Sequence, residues 1–216
     1  DLSLGIGSCA LPEVLAMLDL AASLAYRAVL CPPPFYFRSA SVEGISSFFL
    51  EILERSSLPV LLYHIPQVTG VAISEDVLDR LGPHPNLAGV KDSTGDPNEL
   101  QRLTNRFASG CYLVGNDRLV TSCIETGGAG SISAAASVAP ALVCSVQRGE
   151  AAQADLDRVR ALLEGYGLGP SVKNLLRRFG FGDFSTRPPL TSLDDQRAPS
   201  LWAKYCDLVP PDRRPV

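Results

Sequence analysis

Six short apolar runs recur along the chain, and a helix-like stretch follows each one. They are Ser3–Gly7, Arg27–Cys31, Pro59–Tyr63, Leu87–Lys91, Tyr112–Gly115 and Gly130–Ser133. Most do not alternate polar with apolar residues, so they read as strands buried on both faces. A helix between successive strands carries the chain back across the sheet, which makes the strands parallel. No Asn-Gly or Asp-Gly pair offers a hairpin turn between runs. The pattern predicts an α/β fold of repeated β-α units.

The connecting stretches carry their own signals. Pro12 opens the first helix at a position where its missing N–H costs nothing. Val42, Ile45, Phe48, Phe49 and Ile52 recur on a helical period from Ser41 to Arg55. Ser74 is placed to cap a helix with Glu75 and Asp76 in its first turn, and Gly82-Pro83 ends it. Asp96-Pro97 opens another. After the last strand, helical segments are expected near 139–149, 151–165 and 171–179. Beyond Gly180 the chain turns rich in Pro, Asp and Arg.

Composition narrows the class. With 46% hydrophobic and 19% charged residues the chain can bury a core. The net charge of −4 and the lack of a Lys/Arg cluster argue against a nucleic-acid partner. No apolar run is long enough for a membrane span, and the start of the sequence, which lacks a basic segment before its first apolar run, is not expected to be a signal peptide. Six cysteines without a C-x-x-C pair, beside two histidines, give neither a zinc site nor a disulfide framework. A cytoplasmic protein with reduced core cysteines and no bound metal is expected.

Chemistry in parallel β/α folds sits at the carboxyl ends of the strands. Tyr63 and Lys91 close two neighbouring strands there, and Gly115-Asn116-Asp117 and Ser133 close two more. A lysine after four apolar strand residues enters a barrel mouth. Burying an ammonium is costly, and the neutral amine this favours is what imine formation with a ketone requires. The competing role for Lys91 is an ion pair with Asp92 or Asp117. Tyr63 is either a proton relay or a core phenol with one hydrogen bond. His64, next along the strand, should point the other way, toward the helices, as a packed histidine. The run Asp92–Asp96 lacks the lysine and glycine spacing of a phosphate loop.

These residues carry a resemblance. YHIPQVTG at 63–70 and GVKDSTGD at 89–96 are similar to the paired signature of the dihydrodipicolinate synthase/N-acetylneuraminate lyase family. PPPFYF at 32–37, VGND at 114–117, GGAGSIS at 127–133 and RPPL at 187–190 resemble further segments of it. The resemblance implies a TIM (β/α)8 barrel, of which residues 1–149 would be units 3 to 8, followed by a C-terminal helical extension and tail over 150–216. It implies that Lys91 forms a Schiff base with pyruvate or another 2-keto acid, an aldehyde being the second partner, without a cofactor. Tyr63 would shuttle protons, and Ser93, Gly115, Asp117 and Ile132 would line the substrate pocket. Tyr36 would reach a neighbouring subunit's site in a homodimer or homotetramer.

The sequence also departs from the family. Val68 stands where dihydrodipicolinate synthases carry a carboxylate-binding arginine, and Ala134 where sialic acid lyases carry a serine. Ser137 replaces an asparagine common after the last strand. The wording is nearest to members acting on 2-keto-3-deoxy sugar acids, so cleavage or formation of a 2-keto-3-deoxy acid is the activity implied. Dihydrodipicolinate synthase or N-acetylneuraminate lyase activity are the alternatives. The hydroxyl pair that the family carries in its second unit has no counterpart here, which leaves a non-catalytic truncated paralogue or partial gene product as a third reading. Six strands without closure would expose two parallel edges, so the chain is expected to fold poorly alone.

Overall fold

A computed structural model describes residues 2–215. Strands β1 (Ser3–Gly5), β2 (Ala28–Cys31), β3 (Val60–His64), β4 (Leu87–Asp92), β5 (Cys111–Val114) and β6 (Gly130–Ser131) alternate with helices. The helices are α1 (Leu11–Ser23), α2 (Val42–Arg55), α3 (Pro66–Thr69), α4 (Glu75–Leu81), α5 (Pro97–Arg106), α6 (Val120–Glu125), α7 (Pro140–Gln147), α8 (Gln153–Tyr166), α9 (Leu168–Arg178) and α10 (Arg197–Leu208). A 3-10 turn, Asp117–Leu119, leads into α6. The chain divides into two compact units. The first runs through Gly115 and includes Gly127–Ala129, and the second holds Asn116–Thr126 and the chain from Gly130 onward.

In the first unit, β1 to β5 lie side by side in chain order, every neighbouring pair parallel. Val60, Leu61, Leu62 and His64 of β3 are all buried, so both faces of that strand are covered, as its unbroken apolar run requires. The helix α2 buries Ile45, Phe49, Ile52 and Leu53, a single stripe, and the Ser41 hydroxyl caps it by accepting the Gly44 N–H at 3.1 Å. Ser74 caps α4 in the same way through the Val77 N–H, and Asp96 caps α5 through the Asn98 N–H at 2.8 Å. Gly89 lets β4 approach β5 closely. A Cβ built there would lie 1.8 Å from the Cys111 carbonyl oxygen.

The second unit is mainly helical, with a core of Val138, Leu142, Leu156, Val159, Leu163, Leu175 and Leu201. Beyond Gly180, where no helical span was assigned from the sequence, the chain forms a further regular helix, α10. It buries Ala198, Leu201 and Tyr205. The Tyr205 hydroxyl donates to the Val138 carbonyl, and its ring stacks on Trp202 beside Phe179. Burial raises the Tyr205 phenol well above its ordinary pKa. The last strand is shorter than its apolar run suggests and ends at Ser131, which leaves Ile132 and Ser133 in the following loop.

Successive β-α units, with the five strands of the first unit parallel and in chain order, are the arrangement of a TIM-type α/β barrel. No helix among the described residues is long and apolar enough to cross a membrane. All six cysteines are free thiols, and burial pushes the Cys31 thiol up to about 12.

Candidate active site

Tyr63 and Lys91 are register partners on β3 and β4. Their side chains leave the same face of the sheet, and the Lys91 Nζ lies 4.2 Å from the centroid of the Tyr63 ring. The nitrogen thus rests on a π-face, which attracts its protonated form without a counter-ion. Among the described residues Lys91 makes no ion pair. The ion pair with Asp92 does not form because Asp92, one residue on, faces the opposite side. Its buried carboxylate is taken by the Thr94 N–H (2.9 Å), the Thr94 hydroxyl (3.0 Å) and the Tyr112 hydroxyl (3.0 Å).

Ser93 and Gly115 complete the cluster. The Ser93 hydroxyl approaches the Tyr63 hydroxyl at 3.5 Å, and the Ser93 N–H donates to the His64 carbonyl at 2.9 Å. Gly115 is a glycine for a steric reason. A Cβ there would stand 1.9 Å from Ser93 Oγ and 3.0 Å from Lys91 Cε. Its N–H donates to the Asp92 carbonyl, which ties the end of β5 to β4 beside the lysine. Gln67, which the sequence reading did not single out, reaches across from α3 and donates its amide to the Ser93 carbonyl at 2.6 Å. The only signal for it was a polar amide in the loop after β3, beside the apolar Val68. Val68 is exposed.

Tyr63, Lys91, Ser93 and Gly115 are therefore brought together. Tyr36 lies in the loop after β2, 79% exposed, with its ring edge-on to Phe37 and its N–H donating to the Cys9 sulfur. Asp117 and Ile132 belong to the second unit. Ile132 is partly exposed. Asp117 is fully buried, and Arg160 of α8 donates to its Oδ2 at 2.9 Å. Its Oδ1 is buried without a hydrogen-bond partner. Arg160 and Arg118 also grip Glu164, whose carboxyl they hold down at about 2. His64 turns to the helix side, where Ile73 and Glu99 meet its ring.

The fold and the cluster define a class: an α/β-barrel protein that presents an amine and a phenol at the carboxyl ends of adjacent parallel strands. Comparison with known proteins gives the class its family. The profile of the Dihydrodipicolinate synthetase family matches residues 2–205, and the chain belongs to that family. An uncharacterized DapA-like lyase of Chloroflexus aurantiacus is 34% identical over 215 residues, covering 93% of this chain and 71% of the relative. A 4-hydroxy-tetrahydrodipicolinate synthase of Haloarcula marismortui is 28% identical, covering 91% and 68%. Among solved structures, a synthase of the same name from Methylacidiphilum fumariolicum superposes with a TM-score of 0.80 at 27% identity, covering 94% and 71%. A Sulfolobus 2-keto-3-deoxygluconate aldolase gives 0.84 at 22% identity, covering 94% and 72%, a likeness of fold.

Proposed function

We propose that the chain is a class I aldolase or lyase in which Lys91 forms an imine with the keto carbon of pyruvate or of a longer 2-keto acid. The observation that carries this is the Lys91 amine, free of any carboxylate among the described residues and lying against the Tyr63 ring. The amine adds to the ketone, and the carbinolamine loses water to give a protonated imine. In the cleavage direction, the electrons of the C3–C4 bond flow into that imine and leave an enamine. The C4 hydroxyl loses its proton as it becomes the aldehyde carbonyl. The enamine is then protonated at C3, and water releases pyruvate. Condensation runs through the same steps reversed. Tyr63 carries the protons, with the Ser93 hydroxyl as its neighbour at 3.5 Å.

Val68 places no charge on the loop after β3, which suits a neutral polyol rather than a second carboxylate at the aldehyde end. The substrate class is therefore a 2-keto-3-deoxy acid. The exposed ring of Tyr36, with Phe35 and Phe37 beside it, suits an interface with a second copy of the chain. Borohydride reduction in the presence of pyruvate tests the chemistry. Peptide mapping is expected to find a reduced pyruvyl adduct on Lys91, and none on Lys91→Ala. A folded chain that gains no adduct overturns the proposal.

A further inference from the structure

We propose that His64 is a positioning residue whose neutral ring, held at both nitrogens, keeps Tyr63 and Ser93 in place beside Lys91. This rests on the reading of Lys91 as the imine-forming amine. His64 and Asp92 are register partners directly behind Tyr63 and Lys91, on adjacent residues of the same two strands. A polar layer thus backs the reacting pair. On its side, His64 Nδ1 accepts the Ile73 N–H at 3.2 Å. That nitrogen must be unprotonated, so the ring proton sits on Nε2, 3.2 Å from Glu99 Oε2. Glu99 is fixed in turn by Arg102, at 3.0 and 2.8 Å, and Arg102 also binds Glu75 at the start of α4.

The Ile73 bond ties the end of the 65–74 loop to β3. The same loop carries Gln67, whose amide holds the Ser93 carbonyl, while the His64 carbonyl holds the Ser93 N–H. Ser93 in turn faces the Tyr63 hydroxyl. Protonation at Nδ1 sets one N–H against another and breaks the Ile73 bond. The loop then loses its anchor to β3, and Ser93, though its N–H stays on the His64 carbonyl, loses the grip of Gln67 that sets it beside Tyr63.

The groups facing the ring act in both directions. Burial lowers its pKa, and the Arg102 guanidinium acts the same way. Asp92 from β4 and Glu99 from α5 raise it, and the net effect is below the ordinary imidazole value of 6.5. A cleft of about 420 Å³, lined by His64, Thr94, Asp96, Glu99 and Arg102, gives protons a route to this side of the ring. The device therefore holds at neutral pH and releases on acidification.

Two measurements on the full chain test this. The sequence has two histidines, so ring nitrogen resonances assign readily with a His84→Gln variant. His64 is expected as the Nε2–H tautomer at pH 7, titrating below 6.5, with the amide signals of Tyr63, Gln67 and Ser93 moving on the same curve. Pyruvate trapping by borohydride is then followed against pH. The parent is expected to show a drop that tracks the His64 titration, beyond the slope that protonation of an amine gives alone. Glu99→Gln removes an anion that favours the imidazolium and moves the drop down by about half a pH unit or more. His64→Asn removes the drop. A drop at the same pH in all three proteins overturns the inference, as does a His64 titration that leaves the three amide signals still. If no protein is trapped at any pH, the imine reading fails and the amide signals alone decide the role of His64.

Discussion

Gly89 is where the sheet beneath Lys91 is most sensitive to one added methyl group. A Cβ at this position would lie 1.8 Å from the Cys111 carbonyl oxygen, 2.6 Å from its carbon and 2.9 Å from its Cα. Ordinary contacts begin at 3.4 Å, so Gly89→Ala forces β4 and β5 apart by about 1.6 Å. The obstacle is backbone and cannot rotate away. Gly89 pairs with Cys111, and Val90 with Tyr112 next to it, so about two ladder hydrogen bonds are lost between buried groups. Two lost bonds leave four groups unpaired, so at about 1–3 kcal/mol for each the cost is at least about 4 kcal/mol. For a chain of this size that lowers the melting temperature by roughly 10 °C. Thermal melts by circular dichroism measure it directly. Gly165→Ala in α8 is the control, because its Cβ meets nothing within 4 Å and a helical alanine gains up to about 1 kcal/mol. The close-approach argument is wrong if Gly89→Ala melts within about 2 °C of the parent.

Two further outcomes follow from the same geometry. Gly115→Ala pushes Ser93 Oγ and Lys91 Cε from their places but meets only side chains. It is expected to slow pyruvate trapping by about tenfold or more while leaving the melting temperature within a few degrees, measured side by side. Arg160→Met strands the buried Asp117 carboxylate and is expected to cost about 3–5 kcal/mol in urea unfolding. The double variant Asp117→Asn/Arg160→Met should recover most of that loss, and no recovery would show that the ion pair is not the cause.

Some elements were written plainly in the chain and others were not. The double-sided strand β3 and the helix α2 announce themselves, because their burial is set by the period of their own residues. The caps Ser74 and Asp96 act within a turn of their own position, so local sequence suffices for them. The span of the helix α10 was not legible, for the opposite reason. Its segment carries Pro199 and no long apolar run, and only Ala198, Leu201 and Tyr205 are buried. Their burial comes from distant partners such as the Val138 carbonyl. The short α3 turn, opened by Pro66, went unread as well, and with it the placement of Gln67.

The same division runs through the site. Lys91 and Tyr63 could be chosen from sequence because a polar residue at the end of an apolar strand is anomalous wherever the strand packs. Adjacent positions on a strand face opposite ways, so His64 and Asp92 were bound to turn from Tyr63 and Lys91. Sequence could not tell what each side chain would meet. Only the parallel register of β3 and β4 decided that the amine lies on the phenol ring, and only the folded sheet brought Tyr112 to the Asp92 carboxylate. Likewise the motif around Asp117 names no partner for it, and only the folded second unit brings Arg160 of α8 to its buried carboxylate. Periodicity and strand ends are local properties and survive in a bare sequence. Partnership is a property of chain segments far apart, and it exists only once the sheet and helices have brought them together.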